Sequence, residues 1–177
     1  TVFKSADYLD QAAVNEDEVL DFYDANISRY VDTGTNGVET TRPFEEVRKS
    51  IEDELALASA KRMAYLAAAD FSDVFYTNRN ESLTFEAAAA SQGLSVLTSR
   101  LFSAKSAPVH IEGSPAFVEA AFALDPDSQI NRFSEAVNGG VESYVMGFHT
   151  HVASHIRPME EILPRVRAAA RMGAADA

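Results

Sequence analysis

Between Pro43 and Tyr76 the chain carries no glycine and no further proline, and this uninterrupted stretch limits its fold more than any other feature. Phe44, Val47, Ile51, Leu55, Ala58, Met63 and Leu66 recur at close to helical spacing, alanine is abundant, and Pro43 suits the first turn of a helix. At about 1.5 Å per residue the predicted helix reaches ~50 Å. A helix of that length outruns a small core, so it must either pack on several elements or bridge two lobes.

The segments on either side are shorter. Val2, Phe3, Tyr8 and Leu9 sit at loosely helical spacing, which predicts the tail of a helix over residues 1–13. Asn15 and Glu18 form a capping-box pair, Val14 and Val19 occupy the staple positions, and Glu16, Asp17 and Glu18 crowd the first turn. Val19, Leu20, Tyr23, Ile27 and Tyr30 then mark one face of a second predicted helix. Residues 32–41, with two glycines and an Asn-Gly pair, read as a tight turn or short hairpin. After a break at Asn78-Arg79-Asn80, Thr84 caps a helix that Gly93 ends. Leu94 to Thr98 reads as a strand, residues 103–113 as a loop, and Ser114-Pro115 as a helix start that Asp125-Pro126-Asp127 stops. Phe133 to Val137 and Glu142 to Ala153 read as strands joined by Asn138-Gly139-Gly140, with Tyr144, Met146, Phe148 and Val152 on one face. Pro158 opens a last helix through Ile162, Val166 and Ala169. No internal repeat stands out.

Composition narrows the function classes. The chain has 177 residues and 46% hydrophobic content, enough for a core. Fifteen Lys and Arg against 27 Asp and Glu give a net charge of −12, which repels phosphate backbones and argues against a nucleic-acid partner. The same charge keeps a protein dispersed while it holds apolar ligands. The absence of cysteine excludes disulfides, thiolate catalysis and Cys-ligated metal sites. No apolar run is long enough to span a membrane. The chain opens on Thr1-Val2-Phe3 without an initiator Met or a signal peptide, which points to a segment of a longer precursor.

Two stretches resemble the parvulin-type periplasmic folding factors, the SurA/PpiD-like family. Asn15-Glu-Asp-Glu-Val-Leu-Asp-Phe-Tyr-Asp-Ala-Asn-Ile-Ser-Arg-Tyr30 is similar to the segment preceding the isomerase domain in that family. Phe44-Glu-Glu-Val-Arg-Lys-Ser-Ile-Glu-Asp-Glu-Leu55, with Ala60-Lys-Arg-Met-Ala64, resembles its long chaperone-domain helix. Further on, Phe85-Glu-Ala-Ala-Ala-Ala-Ser-Gln-Gly-Leu94 resembles the first parvulin helix, and Phe117-Val-Glu-Ala-Ala-Phe-Ala-Leu124 the short helix before the closing hairpin. Phe133-Ser-Glu-Ala-Val137, the Gly-Gly turn and Ser143-Tyr-Val-Met146 resemble that hairpin, and Pro158 to Ala170 the helix that packs back on the chaperone domain. Active members carry a histidine on the first strand and another on the last. Here no His-Ile-Leu-like first strand is found, and Val145 stands at the second position; a slip of four residues would put His149 there. Where a complete isomerase domain would sit there is only the loop 32–41. The resemblance implies the scaffold without the site.

The remaining candidate chemistry is thin. His149, His151 and His155 share a face if their strand is unbroken, and alternate imidazoles can hold zinc. The simpler reading is a solvated polar face, with His110 in a loop, so no metal site and no cofactor are expected. Nucleophile and phosphate-loop motifs are absent, and the Glu52-Asp53-Glu54 and Glu160-Glu161 carboxylates read as solvated faces. Most of the eleven Phe, six Tyr and four Met must be core, but some near the boundary are candidates for an open groove.

The expected architecture is α+β. A helical chaperone-like lobe with the long helix takes residues 1–78. A small degenerate parvulin-like lobe with an antiparallel hairpin takes 79–157, and a C-terminal helix, 158–177, returns to the first lobe. The resemblance implies an ATP-independent chaperone of the periplasm or cell envelope that binds unfolded or Pro-containing polypeptide without catalysis. The peptide-binding candidates are Phe71, Phe75, Tyr76, Phe102, Tyr144, Met146 and Phe148. No catalytic residue is nominated. An active prolyl isomerase with a remodelled site and a structural module of an envelope complex are the alternatives.

Overall fold

The computed structural model describes residues 1–34, 37–77, 83–105, 108, 111, 115–128, 131–153, 159–164 and 167. It is an α+β protein. Strand β1 (Val2–Lys4) runs into a 3₁₀ turn (Ser5–Gln11), then helix α1 (Glu16–Ala25) and a second 3₁₀ turn (Ile27–Tyr30). The short hairpin β2 (Val31–Thr33) and β3 (Glu39–Thr41) leads into α2 (Phe44–Thr77). Helices α3 (Phe85–Ser91) and α4 (Pro115–Phe122) and the strands β4 (Val137–Asn138) and β5 (Glu142–Tyr144) follow, and residues 159–164 are helical.

The local signals fix several boundaries. Asn15 Oδ1 accepts from Glu18 N at 2.8 Å while Asn15 N donates to Glu18 Oε2 at 3.3 Å, so the capping box starts α1 as expected. The Thr84 side chain caps α3, and Gly93, at φ +69°, follows its end. The hairpin expected in 32–41 forms, with Val31 opposite Thr41 and Thr33 opposite Glu39. Gly139 N donates to Glu142 O at 2.8 Å and Gly140 takes φ +97°, which makes the expected turn between β4 and β5.

Several expectations need correction, among them the strand over Phe133 to Val137, where only Val137 lies in β4 and Phe133 makes an isolated bridge. Residues 2–4 are strand, not the tail of a helix: β1 pairs antiparallel with β5, with Val2 opposite Tyr144 and Lys4 opposite Glu142. The helical reading of Glu16 to Tyr30 stops at Ala25, where Asn26 caps the last turn. The strand expected over 142–153 stops at Tyr144, and beyond it Phe133 and Gly147 form an isolated bridge. A β-carbon on Gly147 would stand 3.2 Å from the Phe85 ring, so the chain there closes on an aromatic core instead of continuing a ladder. Residues 94–98 run without turn or bend but, among the described residues, pair with no strand. The expected break at 78–80, most of the loop 103–113 and the return of the last helix past 164 lie outside the described residues.

The sheet has the order β1-β5-β4 and is covered on both faces. On one side Phe3 and Val145 join Ala64, Ala68 and Phe71 of α2 and Phe85, Ala88 and Ala89 of α3. On the other, Val137 and Tyr144 pack with Phe117 of α4, and Val2 lies against them. The alternation of Val2 with Phe3 and of Tyr144 with Val145 follows from the period of two along a strand. A third core, Val19, Tyr23, Tyr30, Val47 and Ile51, joins α1 to the first half of α2.

Helix α2 therefore serves two cores. Its first half buries Val47 and Ile51, its second half Ala60, Ala64, Ala68 and Phe71. Ile51 and Ala60 are nine residues apart, which is ~180° around a helix of 3.6 residues per turn. Taken over Val47 and Ile51 on one half and Ala60, Ala64, Ala68 and Phe71 on the other, the two halves bury different faces, ~120° apart on average. The expected single face fails beyond Leu55: Ala58 and Leu66 are exposed. Residues on both sides of the expected boundary near 78 share one core, Phe71 and Phe75 with Phe85 and Phe133.

Candidate functional site: an acid-rimmed apolar groove

The capping box that starts α1 also builds one wall of a groove. With Asn15 holding the helix start, Glu18 and Phe22 fall four residues apart along one edge of the helix, and Val14, just before the cap, extends that edge. Opposite them stand Leu55 and Ser59, at the point where α2 turns its buried face away from α1. The groove between them measures about 500 Å³ and is completed by Ala13 and Asp21. Val14, Phe22 and Leu55 give it an apolar floor, and each also packs against the α1–α2 core. Glu18 and Asp21 stand at the rim; Glu18 holds the Asn15 amide with one carboxylate oxygen. The Arg29 guanidinium lies 5.5 Å from the Phe22 ring centroid and pairs with Glu54 at 3.2 Å, which ties the chain after α1 to α2. A volume in this range accommodates a small ligand or a few side chains of a peptide. Nothing in the lining is a nucleophile or a general base placed against a second reacting group.

The sequence-nominated residues lie elsewhere and do not form one surface. Phe71 is fully buried, 5.7 Å centroid to centroid from Phe85, and Phe75 packs against Phe133, tilted by 31° with centroids 4.2 Å apart, on the same side of the sheet. The Tyr76 hydroxyl donates to Phe133 O at 3.3 Å. Across the sheet, Phe102 packs on Phe117 and Phe122, and Tyr144 meets Phe117 edge-on at 5.2 Å. Met146 joins that cluster, with its backbone N–H given to the Ser134 hydroxyl at 2.9 Å, and Phe148 is half-buried with its N–H on Arg132 O. Phe71 and Tyr144 therefore spend their surface on packing, and Phe71 and Phe75 lie on one face of the sheet while Phe102, Tyr144 and Met146 lie on the other.

Tyr144 is the most perturbed of the tyrosines. Burial pushes its pKa up, and the Glu142 carboxylate, which accepts its hydroxyl proton at 2.9 Å, pushes it further. Burial acts the same way on Tyr8 and Tyr76, with nearby carboxylates adding to it. His149 and His151 are exposed on irregular chain, so the shared strand face assumed for them does not exist; His110 and His155 lie outside the described residues. Among the described residues no three His, Asp or Glu side chains gather as metal ligands. No described helix is long and apolar enough to cross a membrane.

The groove was missed because its signal is a secondary one. The Val14, Glu18, Phe22 row sits beside the stronger Val19, Tyr23 row on the same helix, and periodicity selects the stronger. Compared with known protein families, curated proteins and solved structures, the chain matches none.

Proposed function

We propose that the protein is an ATP-independent folding chaperone of the periplasm or cell envelope that holds unfolded or Pro-containing polypeptide without isomerising it. The observation that carries this reading is the apolar groove between α1 and α2. It is open, floored by aliphatic and aromatic carbon, and rimmed by carboxylates that suit the basic residues of a mixed client. The same side of α2 continues past the groove to Leu66, which is 49% exposed. Apolar side chains left open beside one another on a helix mark interaction surface. The net charge of −12 keeps a complex with an apolar client in solution. The order of segments along the chain, similar to that of the parvulin-type folding factors, supports the same reading.

Light scattering of a chemically unfolded client, diluted with and without the protein, tests it. Suppression at a several-fold excess is expected, with a Phe22→Asp variant of unchanged circular dichroism suppressing less. Unchanged scattering with wild-type protein overturns the proposal. A protease-coupled assay on short X-Pro peptides is expected to show no acceleration; clear acceleration moves the reading to an isomerase.

A further inference from the structure

The segment Leu94 to Phe102 is anchored at its ends and bare in its middle. Leu94 packs against the core that holds Phe3 and Phe71, and its N–H donates to Ala89 O at 2.9 Å. Phe102 packs on Phe117 and Phe122 on the other side of the sheet. Between these anchors the chain shows no turn or bend. Eight steps at about 3.3 Å each allow a rung of up to ~26 Å. The Thr1 hydroxyl donates to Ser95 O at 3.4 Å, so the rung begins beside the β1 edge of the sheet. Among the described residues, none of Val96 to Leu101 makes a backbone hydrogen bond. On extended chain Leu97, Ser99 and Leu101 share a side. Leu97 is 68% and Leu101 70% exposed.

We propose that residues 96–101 are a strand-addition site, which captures an extended apolar segment of a client by backbone hydrogen bonding. This rests on the chaperone reading and gives it a recognition mode. A run of N–H and C=O groups without a backbone partner among the described residues, on a stretch without turn or bend, is matched by an extended backbone, and main-chain bonding is indifferent to the client's sequence. The exposed leucines on one side select apolar side chains at alternate client positions. A second copy of this chain is a poor occupant, because each copy brings a charge of −12. Fixing the rung at both ends removes the ordering cost that a free loop meets on binding.

The probe is a short capped peptide alternating valine and threonine, labelled for fluorescence anisotropy, beside the same peptide N-methylated at every second amide. N-methylation removes donors and leaves the side chains, so at least ~tenfold weaker binding is expected from the lost main-chain bonds. In the protein, Thr98→Pro and Ser99→Pro each delete one N–H from the rung, and no internal backbone bond is lost at either position. Neighbouring N–H groups on extended chain point to opposite edges, so one of the two variants loses peptide binding by about tenfold while Thr98→Ala keeps it. Circular dichroism and thermal melts should match the wild type. Equal binding of both peptides, or unchanged binding in both proline variants, overturns the proposal. So does a wild-type dimer in sedimentation that a proline variant dissociates, since the occupant is then a second copy. The two readings separate in the scattering assay. Aggregation suppression kept by proline variants that bind no peptide defeats the strand site alone. Donor-dependent peptide binding without suppression in the wild type defeats the chaperone reading alone.

Discussion

Three alanines set how closely the protein can close on its long helix. Ala60, Ala64 and Ala68 are 0%, 1% and 0% exposed, and each points at the sheet side of α2, where the Ser5–Gln11 turn and β1 lie. A methyl group at each step lets those elements approach the helix backbone without voids. Replacing Ala64 by leucine adds three carbons to filled space, and such overpacking costs about 1–3 kcal/mol. Leu66→Ala, two residues on but facing solvent, should change stability by less than ~0.5 kcal/mol. Urea denaturation of the two variants measures the contrast; a neutral Ala64→Leu means that α2 is loosely packed there. Tyr144 gives a second residue-scale test. Its folded pKa is raised, so its contribution is intact below the ordinary tyrosine value of about 10 and is lost as pH climbs from there toward the folded value. Absorbance of tyrosinate should rise later for the folded protein than for the urea-unfolded chain, and Tyr144→Phe should narrow that gap. His149 and His151, exposed and without a third ligand among the described residues, should not hold zinc below micromolar concentration in a calorimetric titration.

Helix α1 stands or falls with its start. It is only 10 residues long, too short to persist on propensity alone, and it carries three acidic residues in its first turn. Asn15→Ala removes the acceptor for Glu18 N and should cost about 1 kcal/mol, whereas Asn15→Asp should keep the cap. Thermal denaturation decides between them, and equal losses in both would show that the cap is not what holds the helix. Signals of this kind were legible in the sequence because they are local: Asn15 with Glu18, Thr84 with Gly93, and the Gly-Gly turn each act within a few residues. Pairing partners were not legible. Nothing within residues 1–13 announces that Val2 will lie opposite Tyr144. Leu94 to Thr98 has the composition of a strand and runs without turn or bend, but it has no strand partner among the described residues. Periodicity also misread the second half of α2, because it weights large apolar residues, and there the buried face is made of alanine while Leu66 faces out.

At the scale of the whole molecule, α2 is, among the described residues, the one element shared by the α1 core and the sheet core, and it meets them on different faces at opposite ends. The residues of the α1 core all fall between 14 and 55, while those of the sheet core come from Phe3 and from 64–145. The ion pairs that tie α1 and the turn after it to α2, Arg48 to Glu16 and Arg29 to Glu54 at 3.0 to 3.2 Å, lie on the surface of the α1 half and do not reach the sheet core. The helix backbone between residues 51 and 60 runs unbroken from one core to the other, and its stiffness couples them. Ala58 lies in that span and is exposed, so a substitution there tests the backbone without disturbing either core. Proline at 58 removes the hydrogen bond to the Glu54 carbonyl and clashes with it, at a cost of about 3 kcal/mol or more. The α1 core is the smaller and more local unit, and it should bear the loss. Native-state hydrogen exchange of Ala58→Pro should show Val19, Tyr23 and Val47 amides exchanging far faster while Ala88 and Val145 keep their protection. Uniform loss across all five amides would instead make the molecule a single cooperative unit. If the α1 core does open alone, α1 can swing from α2 and widen the Val14, Phe22 and Leu55 groove while the sheet keeps its shape. The same variant should then bind a fluorescent apolar dye more strongly than the wild type, which links the folding unit to the surface proposed to hold the client.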